Sequence, residues 1–412
     1  MRDGWEVKRL GEVCDLIARG VAPNYIDAGG ICVLNQKCVR DHKVNYELAR
    51  RHNATTKRID PERFLKVGDV LINSTGTGTL GRVAQVRRQP PEPTTVDTHV
   101  TIVRPQAGRF YPEFFGYMLV RIEDEIAASG EGASGQTELV RSVIENRFQV
   151  SFPTSLPEQK RIVTILDEAF AGIAAATANA EKNLANAREL FEGYLASVFS
   201  GEEGGWATKR LQDICGLQNG FAFKSELFKP EGIPVLRISS IQDEQVCDNR
   251  PVFADPSDYK ENLQKYLVNE GDLLIAMSGA TTGKIGFNRT GRQFLLNQRV
   301  GKFQPRPQLD IKYLFYFLST KVEENLEISA GSAQPNLSTK QINDFLIPLP
   351  PLNEQRAIVH TLERFDTETK RLKSNYQRKL TALSELKQSI LQKAFSGELT
   401  ALPEEALEEE AA

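Results

Sequence analysis

The chain has little of what most enzymatic and metal chemistries are built from. Its 412 residues include five cysteines, four histidines, three methionines and two tryptophans. The cysteines (Cys14, Cys32, Cys38, Cys215, Cys247) form no C-x-x-C pair and are odd in number. That argues against a disulfide framework and for reduced thiols in the cytoplasm. The histidines (His42, His52, His99, His360) show no metal-ligand spacing. No apolar run approaches the ~20 residues of a membrane-spanning helix, and the opening MRDGWEVKRL is not a signal peptide.

Catalytic motifs are missing as well. There is no G-x-S-x-G elbow and no G-x-G-x-x-G dinucleotide loop. The Asn/Asp-Pro-Pro-aromatic run with which amino-methyltransferases hold a flipped base is absent too. Gly279-Ala280-Thr281-Thr282-Gly283-Lys284 comes nearest to a phosphate loop, but one residue too few separates its glycines and Ile285 follows the lysine. A strand-to-turn connection, with glycine supplying positive φ, is the expected role. Glu158-Gln159-Lys160 and Glu385-Leu386-Lys387 fit half of a nuclease motif without an upstream aspartate on a strand, and read as helix-surface residues. Together these exclusions describe a non-catalytic chain with no metal site and no cofactor of its own.

What is present is repetition. WEVKRLGEVC at 5–14 returns as WATKRLQDIC at 206–215, an offset of 201 that uses both tryptophans. Gly68-Asp69-Val70-Leu71-Ile72 is answered by Gly271-Asp272-Leu273-Leu274-Ile275, and each is followed by a small-residue stretch, NSTGTGTLGRV and AMSGATTGKIG. TVDTHVTIVRP at 95–105 parallels LLNQRVGKFQP at 295–305. Aromatic segments at 111–119 and 311–318 fit short buried helices. Each copy then runs through FPTSLPEQ or IPLPPLNEQ into a long proline-free segment ending in Phe-Ser-Gly-Glu, at an offset of 196.

Those segments set the architecture. Apolar residues recur three and four apart at Ile162, Leu166, Ala169, Ile173 and Leu190 in the first, and at Ile358, Leu362, Phe365, Leu372, Tyr376 and Leu383 in the second. Some 44 residues of helix span roughly 65 Å, a strut more than a core helix. Short β-rich runs separated by Gly, Pro, Asn and Ser make each globular half α+β with a small sheet. The polar stretch 35–61 lacks periodicity and reads as a large surface loop. The expected order is a first globular domain at 1–155, a long helix at 156–203, a second domain at 204–351, a second long helix at 352–398, and an acidic, disordered tail at 399–412.

Net charge is −3, but it is unevenly placed. Residues 1–150 carry +2, 157–203 carry −4, 206–350 carry +1, 353–397 carry +4, and the tail from Glu398 carries −6. A helix of −4 beside one of +4 favours their pairing with each other, as an antiparallel coiled coil. The globular halves are mildly basic, and their loops offer the side chains that phosphates and base edges require. In the first half these are Arg40, Lys43, Arg50, Arg51, Lys57, Arg58, Asn73, Ser74, Thr75, Arg82 and Arg141. In the second they are Arg237, Ser239, Ser240, Gln242, Ser278, Thr281, Thr282, Lys284, Asn297, Gln298, Arg299, Gln334, Asn336 and Lys340.

The doubled set (W-x-x-K-R-L, G-D-[VL]-L-I with its Gly/Thr/Ser stretch, P-x-x-x-E-Q into a long helix, F-S-G-E at its end) resembles the specificity subunits of type I restriction–modification enzymes. The resemblance covers residues 5 to about 400. It implies two pseudo-symmetric target-recognition domains, each reading half of a split DNA sequence, and two helices that fix the spacing. It further implies double-stranded DNA, two modification subunits and restriction subunits as partners. S-adenosylmethionine, and ATP with magnesium for restriction, belong to those partners. The different loops of the two halves imply an asymmetric target. A competing expectation is a coiled-coil scaffold with two protein-binding adaptor domains.

Overall fold

Two motifs, each a glutamine at the start of a long helix, tie each helix to a globular domain. The computed structural model describes residues 4–130, 137–200, 205–247, 251–322 and 336–400. Its long helices run Leu156–Phe199 and Leu352–Ser396, and it divides into two units, Met1–Ala180 with Arg378–Ala412, and Glu181–Gln377. Each unit thus holds one globular domain, part of the first long helix and part of the second.

In the first unit, Trp5–Arg9 pairs antiparallel with Gln149–Pro153. A four-stranded antiparallel sheet is ordered Cys14–Arg19, Val100–Pro105, Val70–Asn73, Val83–Gln85. A second sheet contains Ile31–Leu34 between the parallel strand Thr94–Val96 and the antiparallel strand Arg50–His52. The second unit repeats the plan. Thr208–Arg210 pairs with Leu346–Pro348, and Cys215–Asn219, Val300–Pro305, Leu273–Ala276 and Ile285–Phe287 lie in the same order. Pro105 opposes Cys14 as Pro305 opposes Cys215. The stretch 35–61, expected as a loop, is instead built of short 3-10 turns and the strands Val39–Arg40, Lys43–Val44 and Arg50–His52. Its backbone finds strand partners that no periodicity announced.

The repeated motifs are structural. The Leu10 and Leu211 side chains are buried, and their N–H groups donate to the Phe148 and Phe345 carbonyls at 2.9 Å each. Asp69 accepts two hydrogen bonds from Arg104 at 2.7 Å and its side chain is 1% exposed; Asp272 meets Lys302 at 3.5 Å. Gln159, expected on the helix surface, is fully buried because its amide serves three backbone groups. Its Oε1 accepts the Tyr111 N–H at 2.8 Å, and its Nε2 donates to the Pro153 carbonyl at 2.8 Å and the Arg109 carbonyl at 3.3 Å. Gln355 does the same with the Asp310 N–H, the Pro350 carbonyl and the Gln308 carbonyl, at 2.8, 2.8 and 2.9 Å. Each glutamine joins the short aromatic helix, the last strand and the strut through one amide. Losing it strands buried groups at ~1–3 kcal/mol apiece.

The short helices Pro112–Arg121 and Ile311–Ser319 are buried along most of their length. Helix ends plug them. Phe395 packs against Phe114 with centroids 5.1 Å apart in the first unit, and Phe199 packs against Tyr313 at 5.1 Å in the second. So the Phe-Ser-Gly motif closing each strut completes the core of the domain at the other end of the chain's order.

The struts pack antiparallel. In the first unit Ile162 and Leu166 share a core with Leu391, Ala394 and Phe395; in the second Leu195 joins Val359 and Leu362. Of the expected seam, Ile162, Leu166 and Leu362 are buried, and Ala169, Ile173, Ile358, Tyr376 and Leu383 are half-buried. Phe365 stacks on Tyr194 at 4.8 Å. Leu190 is 71% exposed and Leu372 38%, so both lie off the seam. The buried line instead follows Ala180, Leu184, Ala187, Phe191, Tyr194 and Val198, alternating steps of three and four as a 3.5-residue period demands. The second helix keeps that step through Asp366, Thr369, Lys373 and Lys387, polar members that an apolar count passes over. The alanine-rich helix is long and apolar enough to cross a membrane by length and composition alone. Its burial along one seam is that of a paired strut.

Candidate nucleic-acid interface

In each domain one strand end, one tight turn and one 3-10 turn converge. In the first, the strand Val70–Asn73 runs into the glycine loop. There the Ser74 N–H donates to the His99 carbonyl at 2.8 Å, and Thr75 forms a β-bridge with Glu138. The Thr75 hydroxyl meets His99 Nδ1 at 2.7 Å. The Thr79 hydroxyl donates to Gln36 Oε1 at 3.3 Å, on the 3-10 turn Gln36–Cys38. In the second domain the Met277 N–H donates to the Arg299 carbonyl at 2.9 Å, Ser278 bridges to Asn336, and the Thr281 hydroxyl donates to the Ile238 carbonyl at 3.2 Å. One backbone frame therefore presents Gln36, Thr75, His99 and Glu138 in one copy and Ile238, Ser278, Arg299 and Asn336 in the other.

Burial holds that frame. Asp97 is 2% exposed, accepts the His99 N–H at 2.9 Å and shapes the turn beneath His99; desolvation raises its pKa above the ordinary carboxylate value. Gly20 and Gly220 approach the partner strand so closely that a Cβ would lie 1.9 Å from the Val96 carbonyl oxygen or 2.2 Å from that of Asn297. Glycine is required at both.

Several expected contacts are used elsewhere. Asn73, Ser74 and Thr282 are buried: Asn73 Nδ2 donates to the Gln36 carbonyl at 3.0 Å, Ser74 Oγ meets Thr101 Oγ1 at 2.5 Å, and the Thr282 hydroxyl donates to the Gly279 carbonyl at 2.7 Å. They close the turn from inside and cannot face a ligand. Arg51 pairs with Glu92 at 2.5 Å, Arg141 with Glu145 at 2.5 Å, and Arg50 lies 3.3 Å over the Tyr25 ring. Lys57 donates to the Ala22 carbonyl at 3.2 Å and Arg82 to that of Gly78 at 2.9 Å.

The remaining candidates fall into two groups. Arg40, Lys43, Arg58, Ser239, Lys284, Gln298, Arg299, Asn336 and Lys340 are exposed. Thr75, Arg237, Ser240, Gln242, Ser278, Thr281 and Asn297 are half-buried; Gln242 Nε2 donates to the Ser239 carbonyl at 2.9 Å. Gln334 lies outside the described residues. Gln36, Thr79, His99 and Glu138 were not singled out from sequence. Aligning the copies at an offset of 200 sets His99 opposite Arg299, a signal that was there to use.

The cysteines take no part in this surface. Burial pushes the Cys38 thiol up to about 11 and Cys215 to about 12, and raises Cys14 and Cys32 as well. These four thiols are expected to resist alkylation near pH 8 in the folded chain and to react after denaturation. Rapid native labelling at Cys38 or Cys215, read by mass spectrometry, would contradict their burial.

The chain is a duplicated α+β domain, each copy joined through a buried glutamine to one of two antiparallel struts and each carrying the same loop frame with different side chains. The family model for the type I restriction modification DNA specificity domain matches residues 2–184 and 203–382. The chain belongs to that family. It is 24% identical over 281 residues to the type I restriction enzyme MjaVIII specificity subunit of Methanocaldococcus jannaschii, covering 63% of this chain and 65% of that one. To the EcoBI specificity subunit of Escherichia coli it is 27% identical over 217 residues, 52% of this chain and 43% of that one. The matches thus span between about two fifths and two thirds of these relatives. A solved chain from a type I restriction–modification system superposes with a TM-score of 0.78 at 21% identity, covering 97% of this chain and 99% of that one, a likeness of fold.

Proposed function

We propose that this chain is the non-catalytic specificity subunit of a type I restriction–modification complex, a cytoplasmic protein that reads a bipartite, asymmetric DNA target. The observation that carries the reading is the doubled loop frame. Two copies of one backbone present different side chains at equivalent places, as a reader of two unlike half-sites needs. Exposed Arg40, Lys43 and Arg58 in the first domain, and Lys284, Arg299 and Lys340 in the second, would meet phosphates and base edges. The struts would hold the half-sites at a fixed separation and offer a docking surface to two modification subunits and to the restriction subunits. S-adenosylmethionine, ATP and magnesium would enter with those partners.

Binding to duplex DNA is expected to weaken steeply with salt, with log Kd against log salt rising by ~0.9 per phosphate contacted. A flat salt response, or no DNA affinity, would favour the protein-binding scaffold. A ruler also has a length. Inserting four residues into the first strut adds about 6 Å of helix, near two base-pair steps. The gap in the target is expected to change while both half-sites stay readable. An unchanged gap would remove the helices from any measuring role.

A further inference from the structure

Among the described residues, four non-glycine residues have positive φ, and they form one hairpin turn in each domain: Asp41 (51°) with His42 (57°), and Asp243 (48°) with Glu244 (64°). The turns close equivalent two-strand ribbons, Val39–Arg40 with Lys43–Val44 and Ile241–Gln242 with Gln245–Val246. A turn with both central residues left-handed is relaxed as Asn-Gly or Asp-Gly. Here the place that glycine fills best carries histidine in one copy and glutamate in the other. Strain kept at the same point of both copies implies a use for the side chain.

Both side chains have one. His42 Nε2 lies 2.6 Å from Glu123 Oε2, and Glu123 Oε1 accepts the Val83 N–H at 2.9 Å. Glu244 Oε2 accepts from Lys370 Nζ at 3.3 Å, and the same ammonium pairs with Asp366 at 2.8 Å. In each unit the turn is thereby tied to a helix. Beside each hairpin lies a cavity, of about 410 Å³ lined by His42, Lys43, Gln85 and Arg87 among others, and of about 400 Å³ lined by Glu244, Gln245, Phe287 and Arg289 among others. Val39, Ile241 and Val246 anchor the ribbons in the cores, and in the second unit Gln245 pairs with Phe287, whose N–H donates to the Glu244 carbonyl at 3.1 Å, so the side-chain tie adds to that anchoring at the turn itself. The ribbons also lead directly out of the 3-10 turns Gln36–Cys38 and Ile238–Ser240, whose first carbonyls accept from Asn73 and Thr281 in the glycine loops.

We propose that His42 and Glu244 are positioning residues for half-site reading: each latches its strained hairpin to a helix and so fixes the adjoining 3-10 turn, with Gln36 or Ser239, against DNA. The proposal rests on the DNA-reading function above. It gives the turn residues a role that a search for basic side chains does not find.

The test uses the full chain produced with its modification subunit, with the methylated motif mapped for wild type, His42→Gly, His42→Gln and Glu244→Gly. Glycine relaxes the turn, so both glycine variants are expected to melt at or above the wild-type temperature. His42→Gly should nevertheless lose roughly tenfold discrimination at one or more positions of a single half-site, the scale of one good base contact. Glu244→Gly should do the same in the other half only. His42→Gln keeps an N–H donor within reach of Glu123 at equal strain and should restore the wild-type motif. Glycine variants with an unchanged motif, whatever their melting temperature, would overturn the latch. So would equal relaxation of both halves, or a glutamine variant as relaxed as the glycine one. A wild-type complex that methylates no motif overturns the DNA reading itself, which separates the two failures.

Discussion

Phe395→Ala is expected to destabilise the first domain by about 3–5 kcal/mol, although the two are far apart in sequence. Phe395 is 4% exposed, lies in the first unit's core with Ile162 and Leu166, and meets the Phe114 ring at 5.1 Å. Its removal leaves a cavity beside the Phe114 ring in this core. The two tryptophans make the effect separable, because Trp5 packs on the first core while Trp206 donates to Glu354 in the second unit at 3.0 Å. In a Trp206→Phe background, urea unfolding followed by Trp5 fluorescence is expected to shift to markedly lower midpoint. A midpoint within error of the parent would mean that the helix end does not complete this core.

Exchanging the first domain is expected to have the largest effect on specificity. If residues 4–155 are replaced by the equivalent domain of another family member, keeping the helix from Leu156 onward, one half-site should change completely and the other not at all. Each lost base pair costs about 1–3 kcal/mol, so a half-site of several pairs should fall to non-specific affinity. The Gln159 clamp makes the graft feasible, because its partners are backbone groups: the Tyr111 N–H and the Pro153 and Arg109 carbonyls. Any domain with the same turn can supply them. A chimera altered in both halves would show that the domains do not read separately.

Those same backbone partners explain what could be seen in advance. Leu10, Asp69, Gln159 and their counterparts repeat at nearly constant offsets because each fills a core or pairs with buried groups, and such positions tolerate little change. The duplication, the two struts and the short aromatic helices were legible for that reason. The seam was legible only where its members are large and apolar. Leu190 was misplaced because the alanine-rich stretch before it gives no strong phase, and Lys373 and Lys387 were invisible because they occupy seam positions with charged ends. The proposed reading face was the least legible part. Asn73 and Ser74 have the right chemistry for DNA, but their side chains close a turn internally. His99 and Gln36 gain their positions from a β-bridge and a 3-10 turn that residue type alone does not announce.

This chain is proposed to choose the DNA sequence on which a partner acts. The direct measurement is to co-express it with a modification subunit in a host lacking adenine methylation and to sequence the DNA for modified bases. A split, asymmetric motif that disappears when this chain is omitted is the predicted result, and it would supply the target and its spacer together. Absence of modification, with the modification subunit present and folded, would contradict the claim and leave a coiled-coil scaffold whose two domains bind proteins.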